Sequence, residues 1–392
     1  MSKRSVVFLC CGIVFSVLCV SVLFYRIVRG PLAATADVAA EAVVPVPQEP
    51  KVTLVFTGDL MQHLPQVDAA QRRDGSFDYT SCFSRLRNFF ESADFVVVNL
   101  ETTLGEAPYS GYPRFRSPEI LAGALRRAGA DAVVLANNHI CDRGAEGIRT
   151  TLGALEKAGL RHTGAFADTA ASVVRAPMWF EKNGFRIALF NYTYGTNGLP
   201  VPSAMTVGRI DTLRSATDIA QARGAGATHV VLFVHWGNEY QTLPDRHQRA
   251  LADCFHRQGA DLVIGSHPHV VQPAETVCDS AGNVCGVTVF SMGNFVSNQR
   301  FPGTDGGISV RVTLGRDARG GTTYRPEYLI HRTCILPDGG SLSGKRYDIV
   351  PSYARETIPA DCRAEFDRFV RRTREHMDRH SRGFSEIEHD YR

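Results

Sequence analysis

From residue 51 onward, short runs of β-branched and aliphatic residues alternate with segments whose apolar positions recur at helical spacing. The runs VTLVFT, DFVVVN, DAVVLA, HVVLFV and ADLVIG are almost wholly apolar, as strands buried on both faces are. They predict strands at 52–57, 94–98, 131–135, 229–234 and 261–264. Helices are expected between them: 81–92 (Cys82, Phe83, Leu86, Phe89, Phe90), 118–128 (Ile120, Leu121, Leu125), 145–158 (Ile148, Leu152, Leu155), 210–223 and 245–258. Segments 173–180 and 185–191 read as a hairpin around Lys182-Asn183-Gly184. After residue 270 the pattern turns all-β, at 271–277, 286–291, 307–314 and 323–331. Alternating strands and helices followed by consecutive strands indicate an α/β layered fold with mixed sheets. Residues 362–380 predict a basic helix with a thin apolar stripe, Phe366, Phe369 and Val370. That stripe suits docking on the domain; a basic face turned to a membrane or a polyanion is the alternative.

The N-terminus follows different rules. Lys3 and Arg4 precede an uncharged run from Ser5 to Tyr25, and Arg26 and Arg29 follow it. As a helix this run spans roughly 30 Å, enough to cross a bilayer. A cleaved signal peptide competes, but its apolar core is usually shorter, and the first A-x-A site, Ala34-Thr35-Ala36, lies well beyond the arginines. The expectation is an uncleaved signal anchor at 1–29, with the domain outside the cytoplasm as a single-pass membrane protein. Residues 30–50 are rich in Ala, Pro and Val without periodicity and read as a tether.

Composition narrows the partners. With 44 % hydrophobic and 21 % charged residues the chain is an ordinary globular protein, and a net charge of +3 gives no reason to expect nucleic acid. Three of its ten cysteines, Cys10, Cys11 and Cys19, lie in the anchor. Cys278 and Cys285 flank a turn-forming spacer between two strand-like runs, so a cross-strand disulfide is expected, against two unpaired hairpin cysteines. Cys82, Cys141, Cys254, Cys334 and Cys362 show no metal-binding spacing.

Each of the five strand runs ends in chemistry. In order come Gly58-Asp59, Asn99-Leu100-Glu101, Asn137-Asn138-His139, His235-Trp236-Gly237 and Gly265-Ser266-His267-Pro268-His269. Taken singly, Asp59 is as good a helix cap as a ligand, and a lone histidine such as His235 is usually structural. His267-Pro268-His269 is the strongest local signal, since two imidazoles beside a stiffened turn can face one centre. Carboxylates, amides and imidazoles at five strand ends point to a metal-dependent hydrolase.

The motifs GDLM, NLETTL, ANNHICDRG, VHWGNEY, GSHPHVVQ and FSMGNF, in this order, resemble the CapA family of bacterial capsule and poly-γ-glutamate synthesis proteins, over roughly residues 51–300. That family is similar in fold to the calcineurin-like metallophosphoesterases. The resemblance implies a four-layer α-β-β-α sandwich at 51–335, followed by a C-terminal extension at 336–392 that carries the basic helix. It also implies divalent metal (Mn, Fe, Zn or Mg) held by Asp59, Glu101, Asn138, His235, His267 and His269. His139 is then a catalytic residue, with Asp142 in the same turn. Two positions depart from the metallophosphoesterase pattern. Met61 stands where a histidine is expected, with His63 two residues further on, and Glu101 replaces the bridging aspartate. Both changes weigh against a phosphatase-type dinuclear centre.

Function is expected in making or exporting an anionic polymer such as poly-γ-glutamate, together with membrane-bound synthesis or export subunits. Arg114 and Arg116, in Tyr112-Pro113-Arg114-Phe115-Arg116, are candidate carboxylate binders; a solvated loop is the competing reading. The alternatives are a metal-dependent phosphoesterase, and a non-catalytic subunit that keeps the site for structure.

Overall fold

A computed structural model describes residues 49–168, 170 and 176–389. The expected anchor at 1–29 and all but the last two residues of the expected tether lie outside the described residues. Among the described residues, no helix is long and apolar enough to cross a membrane.

Strand β1 (Val52–Leu60) sits inside the larger, nine-stranded, of the two main sheets. Its side chains alternate: Val52, Leu54 and Phe56 face the second sheet, and Val55 and Leu60 face a layer of helices. On one side β1 pairs in parallel with β2 (Phe95–Leu100), which continues to β3 (Ala132–Val134) and β4 (Arg161–Thr163).

The second sheet has six strands. It comprises β5 (Met178–Lys182), β6 (Phe185–Thr193), β7 (His229–His235), β8 (Leu262–Ser266), β9 (Ala274–Cys278) and β10 (Val284–Val289). Strands β6, β7, β8 and β10 run parallel, with β5 and β9 antiparallel at the edges. Back in the first sheet, β11 (Asn294–Val296) pairs with the end of β1. The antiparallel β12 (Gly306–Arg316), β13 (Thr322–Pro337) and β14 (Lys345–Pro351) follow, and the short segment Ser385–Glu386 pairs in parallel with β13 as the ninth strand.

Three apolar layers hold these sheets together. The middle one lies between them, where Phe56 and Phe233 meet with ring centroids 6.4 Å apart. An outer layer packs the first sheet on α1 (Ile120–Ala128) and α2 (Gly144–Lys157) through Leu125, Ile148 and Leu155. The other packs the second sheet on α3 (Thr212–Gly224) and α4 (Arg246–Gln258) through Ile219, Phe255 and Trp236. The order is therefore helix, sheet, sheet, helix. Helix α4 shows how locally this is encoded. Asp245 and Gln248 form a capping box at its start, and Gly259 closes it with φ 105°.

Phe233 is fully buried between the sheets. Phe233→Ala is expected to cost about 3–5 kcal/mol, read as a lower urea midpoint with an unchanged slope.

Several expectations need correction. Segment 81–92 is not one helix: it breaks into Thr80–Phe83, a 3-10 turn at Ser84–Leu86, and Arg87–Glu91. The expected boundary at 335 falls inside β13. Strand β14 then extends the same sheet, and α5 (Ala360–His380) docks Phe366, Phe369 and Val370 in the middle layer as expected of that stripe, so the described residues 336–389 pack with the domain. Cys278 and Cys285 are not bonded to each other; both are exposed thiols. A bulge puts Cys278 opposite Val284 and Val277 opposite Gly286, which leaves Cys285 without a cross-strand partner.

Candidate metal centre

The carboxyl ends of β1, β2, β3, β7 and β8 meet at one edge of the sandwich, where parallel α/β sheets place their ligands. Gly58 makes the closest approach possible: a Cβ there would lie 1.9 Å from the Gly293 carbonyl oxygen. That carbonyl accepts the Asp59 backbone N–H at 3.0 Å, which turns Asp59 into the site. Glu101 is fixed by its N–H on the Leu60 carbonyl at 2.9 Å. His267 and His269 both have positive φ, 102° and 60°. Such backbone is costly for a non-glycine residue and persists where surrounding contacts over-determine it, often at functional sites.

Asp59, Glu101, His235, His267 and His269 are all buried. His269 Nδ1 lies 3.0 Å from Asp59 Oδ2 and 3.1 Å from Asn294 Oδ1. His235 Nε2 is 2.7 Å from Asn138 Oδ1 and 3.5 Å from Glu101 Oε1, while its Nδ1 meets Ser266 Oγ at 2.8 Å. The rings of His235 and His267 are 4.8 Å apart. Among the described residues, two groups have donor atoms all within 4.8 Å of one another: Glu101, His267, His269 and Asp59, Glu101, His235. Glu101 belongs to both.

A divalent cation fits these residues. Both carboxylate oxygens of Glu101 and Nδ1 of His267 are buried without a hydrogen-bond partner among the described residues, a costly state unless something else binds them. The mix of carboxylate and imidazole donors suits first-row divalent metals.

The electrostatics agree. Burial pushes the Asp59 carboxyl up, but the hydrogen bond and charge of His269, with His235 and Asn99, hold it below its ordinary value. Burial pulls His269 down, yet Glu101 and Asp59 raise it to about 9. Burial, with its histidine neighbours, drives His267 well below the usual imidazole value.

His139 stands beside this cluster. Its Nδ1 is 2.8 Å from Asp142 Oδ2, which also accepts the Phe115 N–H at 2.7 Å, and the Phe115 ring meets the imidazole edge-on at 4.7 Å. The two candidate arginines are not brought into hydrogen-bonding contact with the cluster. Arg116 is paired with Glu146, and the Arg114 side chain is exposed. Met61 is buried, and His63 hydrogen-bonds Gln66 at 3.2 Å outside both donor groups.

Sequence reading missed the supports. Asn99 donates to Asp59 Oδ1 at 2.8 Å, and Tyr194 lays its ring 4.6 Å from that of His267. Asn99, Ser266 and Asn294 sat in quoted motifs, but nothing in the sequence distinguished them from turn formers; Tyr194 carried no signal.

The bacterial capsule synthesis protein PGA_cap family model matches residues 53–299, more than half of the chain. The chain is 28 % identical over 301 residues to the capsule biosynthesis protein CapA of Bacillus anthracis, covering 72 % of this chain and 69 % of that one. It is 27 % identical over 286 residues to the PGA biosynthesis protein CapA of Bacillus subtilis (strain 168), covering 68 % of each. Among solved structures, the Haemophilus influenzae NAD nucleotidase NadN aligns with a TM-score of 0.48 at 9 % identity, over 87 % of this chain and 57 % of that one. A 5'-nucleotidase from Candida albicans SC5314 aligns with a TM-score of 0.37 at 10 % identity, over 70 % and 50 %. On the extent of the family match, the chain belongs to the PGA_cap family of bacterial capsule synthesis proteins.

Proposed function

We propose that this protein acts on an anionic capsule polymer of the poly-γ-glutamate kind, with a divalent metal at the cluster around Glu101. The observation that carries this reading is Glu101 itself: a fully buried carboxylate whose two oxygens have no hydrogen-bond partner and which both donor groups share. Membership of a capsule synthesis family and the names of the two CapA relatives support the polymer. The apolar run from Ser5 to Tyr25 supports a membrane anchor that holds the domain outside the cytoplasm, beside membrane-bound synthesis or export subunits.

Asp59, Glu101, His235, His267 and His269 would hold the metal, with the Asn138 amide oxygen beside them. Three imidazoles favour Mn, Fe or Zn over Mg. When bound, such an ion polarises a substrate oxygen and acidifies water. The remaining chemistry belongs to the chain. Asp142 takes the His139 Nδ1 proton as a hydrogen bond and so fixes the tautomer, which leaves Nε2 to hold or pass a proton at the scissile bond. Ser266 holds the His235 ring through a hydrogen bond at Nδ1.

The purified protein, incubated with γ-linked glutamate polymer, is expected to shorten or transfer it, and a chelator should stop the change. Polymer length by gel or light scattering reads the outcome. If the metal-loaded protein leaves that polymer unchanged but cleaves a phosphodiester, the phosphoesterase alternative takes its place.

A further inference from the structure

A cavity of about 250 Å³ opens next to the candidate metal centre, with α5 as one wall and Val270, Val271, Thr242, Pro302 and Gly303 opposite. Chain connectivity and ring contacts tie its walls to the centre. Val270 follows His269 directly. Thr242 belongs to the same loop as Tyr240, whose ring is 6.2 Å from that of His269, and Pro302 follows Phe301, which packs on Tyr240 at 5.1 Å.

Its charged lining is two arginines and one glutamate, with two histidines and two threonines beside them. Arg372 and Arg379 line it as exposed side chains, and neither has an ion-pair partner among the described residues. The acidic member, Glu375, faces Arg371 at 3.9 Å. His376 is hydrogen-bonded to the backbone of Thr242, and its buried Nε2 has no hydrogen-bond partner among the described residues. The His380 ring lies 5.0 Å from it. Two guanidiniums without an ion-pair partner among the described residues, around a concave space, suit a carboxylate or phosphate group. All five of these lining side chains come from α5, outside the span of residues 53–299 that matches the family.

We propose that this cavity is a second anion-binding subsite, which takes a neighbouring charged unit of a flexible polyanion while another unit sits at the metal centre. The proposal rests on reading that centre as a polymer-handling site. It makes the C-terminal helix part of substrate recognition and predicts that affinity grows with polymer length.

Calorimetric titration of the full chain tests it. The probes are γ-linked glutamate oligomers and glycerol-phosphate oligomers of matched length, with free glutamate and glycerol phosphate as single-unit controls. The double variant R372Q/R379Q is expected to lose about tenfold or more of the affinity for one oligomer. Each single variant should lose part of it. Single-unit binding, metal content and melting temperature should stay at wild-type values. Which oligomer weakens identifies the charge the subsite reads. Equal oligomer affinity in wild type and double variant overturns the proposal, as does wild-type protein that binds neither oligomer more tightly than its single unit. A chelator arm separates the two readings. Oligomer binding that depends on the arginines but survives metal removal upholds the subsite and counts against the metal centre alone.

Discussion

Glu101→Gln is expected to lower metal affinity by more than about 100-fold, beyond what loss of an outer-shell hydrogen bond costs. Glu101 is the residue common to both donor groups, and its removal leaves each group a member short. The substitution keeps the shape and removes the charge. Its effect on the metal-free protein should be a modest loss. Neither Glu101 oxygen has a hydrogen-bond partner among the described residues, but its charge supports the His269 imidazolium and faces His235 Nε2 at 3.5 Å, so the metal-free variant should melt somewhat lower than metal-free wild type. Added Mn or Zn should raise the wild-type melting temperature by mass action and leave that of the variant nearly unmoved. Thermal melts with and without metal, alongside metal content by mass spectrometry, read both halves. A variant that still gains stability from metal as wild type does would falsify the placement of Glu101 at the centre.

How far the sequence displays this site depends on the range of the forces involved. Strands buried on both faces must be apolar throughout, so β1, β2, β7 and β8 stood out as runs, and the polar residues that ended each run stood out against them. All five strand-end motifs reach the same edge of the sandwich. What stayed hidden was settled by contacts distant in sequence. Asn99 reaches across to Asp59 on the neighbouring strand and to Ser266 on the facing sheet. Asn294 touches His269 because the short β11 pairs with the end of β1. No local pattern separates such amides from turn formers. Residues 81–92 satisfy a helical period, yet the chain tightens to a 3-10 turn between Ser84 and Leu86. The hairpin at Cys278 and Cys285 was visible, but the bulge that breaks their pairing depends on the register with β10.

His139→Ala is the counterpart to the Glu101 substitution and should have the opposite signature: metal retained, function lost. His139 belongs to neither donor group. Its imidazole is held by Asp142 at 2.8 Å and flanked by the Phe115 ring, an arrangement that orients a proton-exchanging group. A positioned acid or base of this kind contributes about 10²–10⁴ in rate, so cells carrying only His139→Ala should make little or no polymer. His267→Ala should instead reduce metal occupancy, because it deletes a donor whose free nitrogen the fold leaves unpaired. Structural damage is separable from lost chemistry. Removing the imidazole strands part of the buried Asp142 carboxylate at about 1–3 kcal/mol, although its bond from the Phe115 N–H remains. His139→Gln restores a hydrogen-bonding side chain without a titratable one. If His139→Gln melts near wild type, keeps its metal and still fails to support polymer production, the proton role stands. If His139→Ala supports normal production, the site serves the polymer by binding alone, and the protein is a non-catalytic subunit of the capsule machinery.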